Sequence, residues 1–333
     1  MKLSELGERE IIRKYILPML STEMGNVLLD DCAVIDLGGP TPYLLSVDQG
    51  PHRTFLESLG VGTPADIAHF HVTINVSDIA AMGGVPIALL LAFGARADDT
   101  EEYLMSYFAG FKDALKEYRI ALIGGDTKQS PYRSATITVL GRSSSPGPLL
   151  RTGTQVGDQI FITGELLGET LRSYIMAARA IRIQKPKSEH PVLRPRAKIS
   201  FGKSLATSRI CSACIDMSDG LLASAEQLAV QNGVTFRIFP ELVAYVPSPK
   251  AEAIEQWINL LFNVGGDFGL MFTIPSAYVG RAEKMGARRI GEVAPWEGRP
   301  VATEALHRWG IEIRAWEQFR TIEPITNEIL SLV

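Results

Sequence analysis

Seven aspartates stand at strand ends or before tight turns, where side chains commonly face a cleft. Carboxylate oxygens without accompanying His or Cys favour magnesium over zinc. Magnesium is usually held by carboxylates together with substrate phosphates, so the set predicts a phosphoryl-transfer site. Any one of these acids could instead cap a helix or stabilise a turn. The set comprises Asp30, Asp31, Asp48, Asp78, Asp126, Asp216 and Asp219.

The stretch from Asn75 to Gly83 places an amide, a hydroxyl and a carboxylate within four residues of an apolar helical run. Asn75 and Asp78 are three residues apart, so on a helix they share a face. The apolar residues 79–82 predict that this helix is buried. A buried charge is costly unless it is paired or bound to a metal. Asp78 is therefore a cap, a partner of an Arg, or a metal ligand.

Two further features are typical of phosphate binding. Gly124 and Gly125 would let the backbone approach a ligand closely just before Asp126. Arg151 follows a Ser- and Pro-rich linker, residues 143–148, and could meet a phosphate in a forked contact.

Other strings argue against competing sites. Asp267-Phe268-Gly269 spells the metal motif of protein kinases, but the rest of that signature is absent, and so is a P-loop. His69 and His71 are two apart and would not share a helix face, which disfavours zinc. Cys211 and Cys214 form a lone C-x-x-C without a second ligand pair, so buried thiols are the simpler interpretation.

Composition limits the classes of protein. A chain of 333 residues predicts two domains, and 46% apolar with 21% charged residues is ordinary for a globular protein. The net charge of −4 provides no basic field for nucleic acid. The N-terminus lacks a signal-peptide core, and the longest uncharged run, residues 79–95, is interrupted by glycines and Pro86. With three cysteines, we expect a cytoplasmic protein without a membrane span.

The elements that position these residues can be outlined from pattern. Helices are expected from Ser4 to about Leu20, from Thr63-Pro64 through Asp78, and from Thr100 to about Tyr118. Ser218-Asp219-Gly220 is expected to cap another helix ending near Asn232. The run from Ile87 to Phe93 predicts a strand buried on both faces. Residues 121–123 predict a short strand that breaks at Gly124.

Strands and helices mix on both sides of the linker. We therefore predict an α+β fold of two domains, residues 1–147 and 148–333, and not a doubly wound parallel sheet. Ser77-Asp78 and Ser218-Asp219 each precede an apolar helical segment, a short internal echo that would fit related halves.

The strings together resemble the thiamine-monophosphate kinase family, within the aminoimidazole ribonucleotide synthetase-like (PurM-like) superfamily. The resemblance spans nearly the whole chain. It is carried by Leu6-Gly7-Glu8, Asp30-Asp31-Cys32-Ala33, Ser46-Val47-Asp48, Asn75 to Gly83, Gly124-Gly125-Asp126-Thr127, Arg151, Gly157-Asp158, Asp216 to Leu221 and Gly265-Gly266-Asp267-Phe268.

The resemblance implies an ATP- and magnesium-dependent phosphotransferase. It implies a mixed α/β N-terminal domain that forms a barrel in a homodimer, and a C-terminal α/β domain. By position, Asp48, Asp126 and Asp219 would be catalytic. The nucleotide contacts would be Phe108, Gly125, Asp126, Arg151 and Ser218. The metal ligands would be Asp31, Ser46, Asp48, Asp78, Asp126, Asp216 and Asp219.

Departures concentrate at the acceptor site. The family usually has Thr at the position of Val47, and a His directly before the Phe that matches Phe55, where this chain has Thr54 and places His52 earlier. The family's Gly-Glu-Asp-Tyr-Glu-Leu becomes residues 266–270, which lack both glutamates. The magnesium–ATP site is therefore better supported than thiamine monophosphate as acceptor. The alternatives are a PurM-like kinase or ATP-dependent synthetase acting on another small-molecule acceptor, and a catalytically inactive nucleotide-binding relative.

Overall fold

The computed structural model describes residues 5, 7–19, 30–50, 54, 57, 59–164, 166–182, 194–248, 253–314 and 323–333. The expected first helix begins as α1, Glu8–Ile11, and continues as a π-helix, Ile12–Ile16, and a 3-10 helix, Leu17–Met19. The acceptor-loop positions His52 and Phe55, the proposed cap Ser4 and the motif residue Leu6 lie outside the described residues.

The first half of the chain forms a five-stranded sheet. Its strands are β1 (Ala33–Ile35), β2 (Tyr43–Gln49), β3 (Gly84–Ala95), β4 (Ala121–Gln129) and β5 (Ser134–Ser143). The order is β1-β2-β5-β3-β4, and β3 with β4 is its only parallel pair. Helices α2 (Pro64–Ala81) and α3 (Glu101–Tyr118) connect these strands.

Strand β3 is longer than expected and is not buried on both faces. Its burial alternates along the strand, with Val85, Ile87 and Leu90 each between 38% and 44% exposed. The other face packs Leu89 and Leu91 into the core. The prediction from the apolar run Ile87 to Phe93 was wrong, because the sequence does not show which face is buried when both faces carry apolar side chains. We call the exposed side of this sheet, which bears Val47, Val85, Ile87 and Leu90, the open face.

Strand β4 corrects a second expectation, because it does not break at Gly124. It continues to Gln129, paired with β3 through a bulge beside Leu89 and Leu90. At Gly125 an added Cβ would overlap the carbonyl oxygen of Leu91, so glycine permits close approach of the two backbones. Gly125 therefore serves strand pairing in this chain.

The second half forms a five-stranded, wholly antiparallel sheet. Its strands are β6 (Gln159–Ile162), β7 (Ala213–Asp216), β8 (Val234–Ile238), β9 (Leu270–Ile274) and β10 (Arg288–Pro295), in the order β7-β9-β6-β10-β8. The accompanying helices are α4 (Glu169–Arg182), α5 (Ile199–Ser208), α6 (Leu221–Asn232), α7 (Ile254–Asn263), α8 (Val279–Lys284), α9 (Glu304–Arg308) and α10 (Glu323–Ser331). The α+β class is confirmed, whereas the boundary at residue 147 stays a prediction.

Helix α2 joins the two halves. It starts as expected, with Thr63 and Asp66 forming a capping box and Pro64 at the first turn. Its C-terminal part packs against α5, where an added Cβ at Gly202 would overlap the carbonyl oxygen of Ala80. Most of its residues are buried because sheet, α3 and α5 surround it. Within the described residues, no helix is long and apolar enough to cross a membrane.

Candidate functional site: a buried acidic cluster beside an arginine

Three of the predicted acids meet where the two halves of the chain join. Asp31 precedes β1, Asp78 lies on α2, and Asp216 ends β7. One carboxylate oxygen from each lies within 4.8 Å of the other two. We call these three residues the acidic triad. They are 47 and 138 residues apart along the chain, so only the fold brings them together.

Strand β2 runs beside α2 and fixes the orientation of two polar side chains on that helix. The hydroxyl of Ser46 donates a short hydrogen bond to Asp78. One helical turn away, the backbone N–H of Asp48 donates to Oδ1 of Asn75 at 2.9 Å. The predicted shared face of Asn75 and Asp78 is therefore confirmed. The Ser46 hydroxyl contacts the triad directly.

Asp216 is positioned by hydroxyls from both halves. Ser77 donates to its Oδ2 at 2.7 Å, and Ser218 donates to its Oδ1 at 3.1 Å. The helix expected after this segment is confirmed as Leu221–Asn232, but its N-cap is Gly220, with φ at 105°, and no side chain caps it.

Arg151 contributes the positive charge next to the triad. Its Nη2 donates a short bond to Oδ1 of Asp31, and its Nη1 donates to Oε1 of Gln227 at 3.0 Å. The Asp31 side chain is fully buried and that of Arg151 is 17% exposed. Burial lowers the pKa of Arg151, but Asp31 outweighs it and the net shift is upward. The guanidinium is therefore held charged.

The electrostatics of the cluster oppose simultaneous ionisation. Burial raises the pKa of Asp78 well above its usual range, and the nearby charges of Asp216 and Asp31 raise it further. Burial and Asp31 raise the pKa of Asp216 to about 7, although the Ser77 hydroxyl lowers it. Burial likewise raises the pKa of Asp30 to about 6. These carboxyl groups lack the positive charge that would keep them all ionised near neutral pH.

The triad fits a divalent cation. Oδ2 of Asp31 is buried and has no hydrogen-bond partner among the described residues. The donor set is carboxylates with the hydroxyl of Ser46 at hand, the hard oxygen ligands that magnesium prefers. The chemistry of the residues therefore matches the cation that the sequence predicted.

Asp48 and Asp219 lie outside the triad, and the negative charge of Asp219 acts on the carboxyl group of Asp48. The pKa of Asp48 is raised to about 6, chiefly by desolvation of its carboxyl group and further by Asp219 and Glu8, although part of the residue is exposed. These acids extend the negative region beyond the triad toward β2 and the first turn of the chain's N-terminal helix.

Asp126 is not brought to the triad within one chain. It lies on β4, three strands from β2, which corresponds to about 14 Å across the sheet. Register places Asp126 in line with Ala92, Thr136 and Gln49, on the open face, whereas Asp48 faces α2. Its exposed carboxylate pairs with Lys128 at 3.3 Å. Gly125, its neighbour, is on the same distant strand.

Phe108 is placed on the outside of α3. It is 40% exposed, with its ring 5.2 Å from that of Phe93 and 5.5 Å from that of Tyr107. An exposed ring on a packed aromatic base can accept a flat partner, so the geometry is compatible with the nucleotide contact expected for it.

Comparison with known proteins decides the family. Residues 29–143 match the model of AIR synthase related protein, N-terminal domain. A thiamine-monophosphate kinase of Leptospira interrogans is 30% identical over 276 residues, 81% of this chain and 84% of that protein. The chain belongs to the thiamine-monophosphate kinase family. It is accordingly an enzyme of the kinase class, as the sequence predicted.

Other relatives extend the match over the chain. The thiamine-monophosphate kinase of Pyrococcus horikoshii is 29% identical over 319 residues, 96% of this chain and 98% of that protein. The solved structure of the Aquifex aeolicus enzyme has a TM-score of 0.70 at 26% identity, covering 89% of this chain and 96% of its own. A structure described as AaThiL complexed with AMPPCP and TMP has a TM-score of 0.77 at 24% identity. The match covers 96% of this chain and 99% of that chain. The PurM-like fold is confirmed.

Thr54, which differs from the thiamine-monophosphate kinase pattern, and Asp267, which keeps the acid of that pattern, both have structural roles here. Thr54, where the family has a substrate His, is buried, and its hydroxyl donates to Glu57 at 3.0 Å. Asp267 accepts bonds from the backbone N–H groups of Gly168 and Thr170, so it caps the start of α4. The adjacent Phe268 packs edge-to-face on Phe70 at 5.8 Å. The kinase-like string is therefore a helix cap and a contact between the halves.

Sequence reasoning missed Ser77 and Gln227 as members of the site. The hydroxyl of Ser77 belongs to the motif around Asp78, but the sequence does not reveal that its partner is Asp216. Gln227 lies mid-helix, seven residues after Gly220, and no local pattern marks it. The two neighbouring thiols, Cys211 and Cys214, form no disulfide, and Cys214 is buried whereas Cys211 is partly exposed.

Proposed function

We propose that this enzyme transfers the γ-phosphoryl group of ATP to thiamine monophosphate, giving thiamine diphosphate and ADP. The observation that carries the proposal is the acidic triad beside the buried guanidinium of Arg151. It supports a site that binds cations and phosphates together. Family membership supplies the acceptor, since the curated relatives are named for thiamine monophosphate.

The proposed chemistry is an in-line displacement. A phosphate oxygen of the acceptor forms a bond to the γ-phosphorus of ATP as the bond to the β,γ-bridging oxygen breaks, and ADP leaves. The acceptor is already anionic, so no strong general base is needed, and positioning with charge neutralisation supplies most of the rate. Bound magnesium would neutralise charge on the transferred and bridging oxygens.

The residues of the chain have distinct tasks in this proposal. Asp31, Asp78 and Asp216 hold a cation, with Ser46 orienting Asp78 and Ser77 orienting Asp216. Asp48 and Asp219 enlarge the negative region and are proposed as further metal ligands and catalytic groups. Arg151 and Ser218 are proposed to contact the phosphates of ATP, and Phe108 its base.

A homodimer is part of the proposal. The open face of the first sheet exposes Val47 at 65% and Leu90 at 44%. These two side chains lie in one cross-strand row on either side of Thr138, and Val85 and Ile87 are exposed on the same face. A second copy packed there would bury it and would also cover Asp126. The ligand and catalytic roles proposed for Asp126, and the nucleotide contact of Gly125, are therefore assigned to the assembled dimer.

A different small phosphorylated acceptor is the second candidate function. It is favoured by Thr54, which stands where the family has a substrate His. The hydroxyl of Thr54 already donates a hydrogen bond to Glu57. Gly269 stands where the family has an acidic side chain, and an added Cβ there would contact Met217 and Thr163. The acceptor pocket is consequently built from other residues than in the family pattern.

Product analysis tests the proposal. Pure protein is incubated with magnesium, ATP and thiamine monophosphate, and the nucleotides and thiamine phosphates are separated. Thiamine diphosphate and ADP in equal amounts are expected. ADP formation with another phosphorylated acceptor, and none with thiamine monophosphate, would support the second function. Binding of ATP without any turnover would identify an inactive relative.

A further inference from the structure

The backbone around Arg151 is fixed independently of its side chain. Its N–H donates to Oδ2 of Asp30 at 3.0 Å, and its carbonyl accepts from Nδ2 of Asn232 at 2.8 Å. Asn232 also accepts bonds from the N–H groups of Gly153 and Thr154. The Cα of Arg151 is therefore anchored between the segment before β1 and the C-terminal end of α6.

The guanidinium itself has one charged and one neutral partner. Asp31 binds Nη2, and Gln227, on the second turn of α6, binds Nη1 at 3.0 Å. The remaining donor, Nε, is buried without a partner among the described residues. On the other side of the ion pair, Oδ2 of Asp31 is also buried without a partner. Each member of the pair thus keeps one unsatisfied atom, and buried unsatisfied polar atoms point to a missing ligand.

These two atoms have opposite chemistry. The Asp31 carboxylate lies beside those of Asp78 and Asp216, so an unsatisfied oxygen on it suits a cation. A guanidinium with a free Nε suits an anion such as phosphate. A cation that binds Asp31 takes over the counter-charge that Arg151 now supplies. The guanidinium then needs a new anion, and Gln227 is its one neutral tether in the described contacts.

We propose that Gln227 is a positioning residue that holds the Arg151 guanidinium in place for a phosphate once a divalent cation has taken Asp31. Cation and phosphate then bind with positive coupling. A cation on Asp31 frees Arg151 for a phosphate, and a phosphate on Arg151 frees Asp31 for a cation, so the first ligand breaks the ion pair for the second. Such coupling is reciprocal between the two ligands. The inference rests on the cation–nucleotide site of the proposed function, but not on the identity of the acceptor.

Two substitutions at one position test this role. Gln227→Met nearly conserves volume and removes the hydrogen bond. Gln227→Glu keeps an acceptor oxygen and adds a negative charge that draws Arg151 away from both Asp31 and a phosphate. Binding of Mn²⁺ alone is measured by electron paramagnetic resonance. Binding of a non-hydrolysable ATP analogue at saturating Mg²⁺ is measured by calorimetry.

For Gln227→Met we expect Mn²⁺ affinity within twofold of the wild type and analogue affinity weakened by about fivefold to tenfold, the loss of one hydrogen bond to a charged group. For Gln227→Glu the two affinities should move in opposite directions. Mn²⁺ should bind about threefold tighter, and the analogue should bind more weakly than to Gln227→Met. A purely structural role would weaken both ligands together.

Gln256→Met is the matched control, because Gln256 on α7 donates only to Glu328 and Ser331 in its described contacts. It should leave both affinities unchanged. Analogue affinity of Gln227→Met within twofold of the wild type would overturn the inference, as would parallel weakening of both ligands in Gln227→Glu. A wild-type enzyme that binds both ligands but forms no thiamine diphosphate would contradict the proposed reaction and leave this inference standing.

Discussion

Asp78 is an acid whose ionised form is disfavoured by desolvation and by the neighbouring charges of Asp216 and Asp31. It is partly buried beside Asp31 and Asp216, and the short bond from Ser46 is the only described hydrogen bond to its carboxylate. Its raised pKa expresses how poorly a proton-free carboxylate is tolerated there. A divalent cation is the natural counter-charge for three such groups.

Asp78→Asn should therefore remove the cation site. The amide keeps the size of the side chain but lacks the charge, so we expect Mn²⁺ binding to weaken by at least about 100-fold, together with loss of magnesium-dependent ATP binding and of activity. Calorimetric titration with Mn²⁺ measures the first effect. Asp98→Asn, at an exposed acid paired with Arg96, is the control. Unchanged nucleotide affinity of Asp78→Asn in magnesium would remove Asp78 from the metal site.

His71 gives the fold a defined pH dependence. It is buried on α2, its Nδ1 lies 2.9 Å from the hydroxyl of Tyr107, and burial lowers its pKa to about 4. The unfolded chain binds this proton near pH 6.5, so between pH 6.5 and 4 the unfolded state holds more protons. The stabilisation is therefore present above pH 6.5 and is lost as the pH falls toward 4.

Urea unfolding at pH 7 and pH 5 measures this contribution. Relative to His71→Gln, the wild type should lose about 2 kcal/mol more unfolding free energy between the two values. His307→Gln, at an exposed histidine, serves as control and should show the wild-type change. Equal pH dependence of wild type and His71→Gln would show that His71 is not held neutral.

At the scale of elements, local signals predicted the helix starts and long-range packing decided the rest. Thr63 with Pro64, and Thr100, cap helices where the sequence indicated. The exposed face of β3 and the continuation of β4 past Gly124 escaped prediction, because each depends on a strand distant in sequence. The same limit applies to the site. Its acids were identified by type, but which three meet depends on how α2 crosses β7.

Alanine substitutions at two glycines, Gly202 at the crossing of α2 and α5 and Gly280 away from it, test how closely these helices pack. Gly202→Ala places a methyl group into the carbonyl oxygen of Ala80, which should outweigh the gain in helix propensity and lower the unfolding free energy by about 2 kcal/mol. Gly280→Ala, on α8 with nothing within 4 Å, should be neutral or raise it by up to about 1 kcal/mol. Thermal and urea unfolding compare the two. Equal effects would mean that the helices are not in close contact.

At the scale of the whole molecule, the open face is the feature that a single chain leaves unexplained. Its apolar side chains come from β2 and β3 and lie opposite the core. The sequence marked these strands as apolar but could not say which side faces water. A dimer through this face accounts for the exposure and for the distance between Asp126 and the triad.

Leu90→Glu should break such a dimer. A charge at the centre of the apolar row would be desolvated on association, so we expect a monomer at micromolar concentration, seen by light scattering coupled to size exclusion. Leu242→Glu, at an exposed position in the second half, should leave the oligomeric state unchanged. A wild-type monomer, or a Leu90→Glu dimer, would refute the interface.

The central claim is that the acidic triad holds a divalent cation beside nucleotide phosphates. Anomalous scattering from crystals grown with Mn²⁺ and a non-hydrolysable ATP analogue tests it most directly. We expect a peak bounded by Asp31, Asp78 and Asp216, with a phosphate oxygen on Arg151. Nucleotide bound with Mn²⁺ elsewhere, and Asp31 still paired with Arg151, would contradict the account.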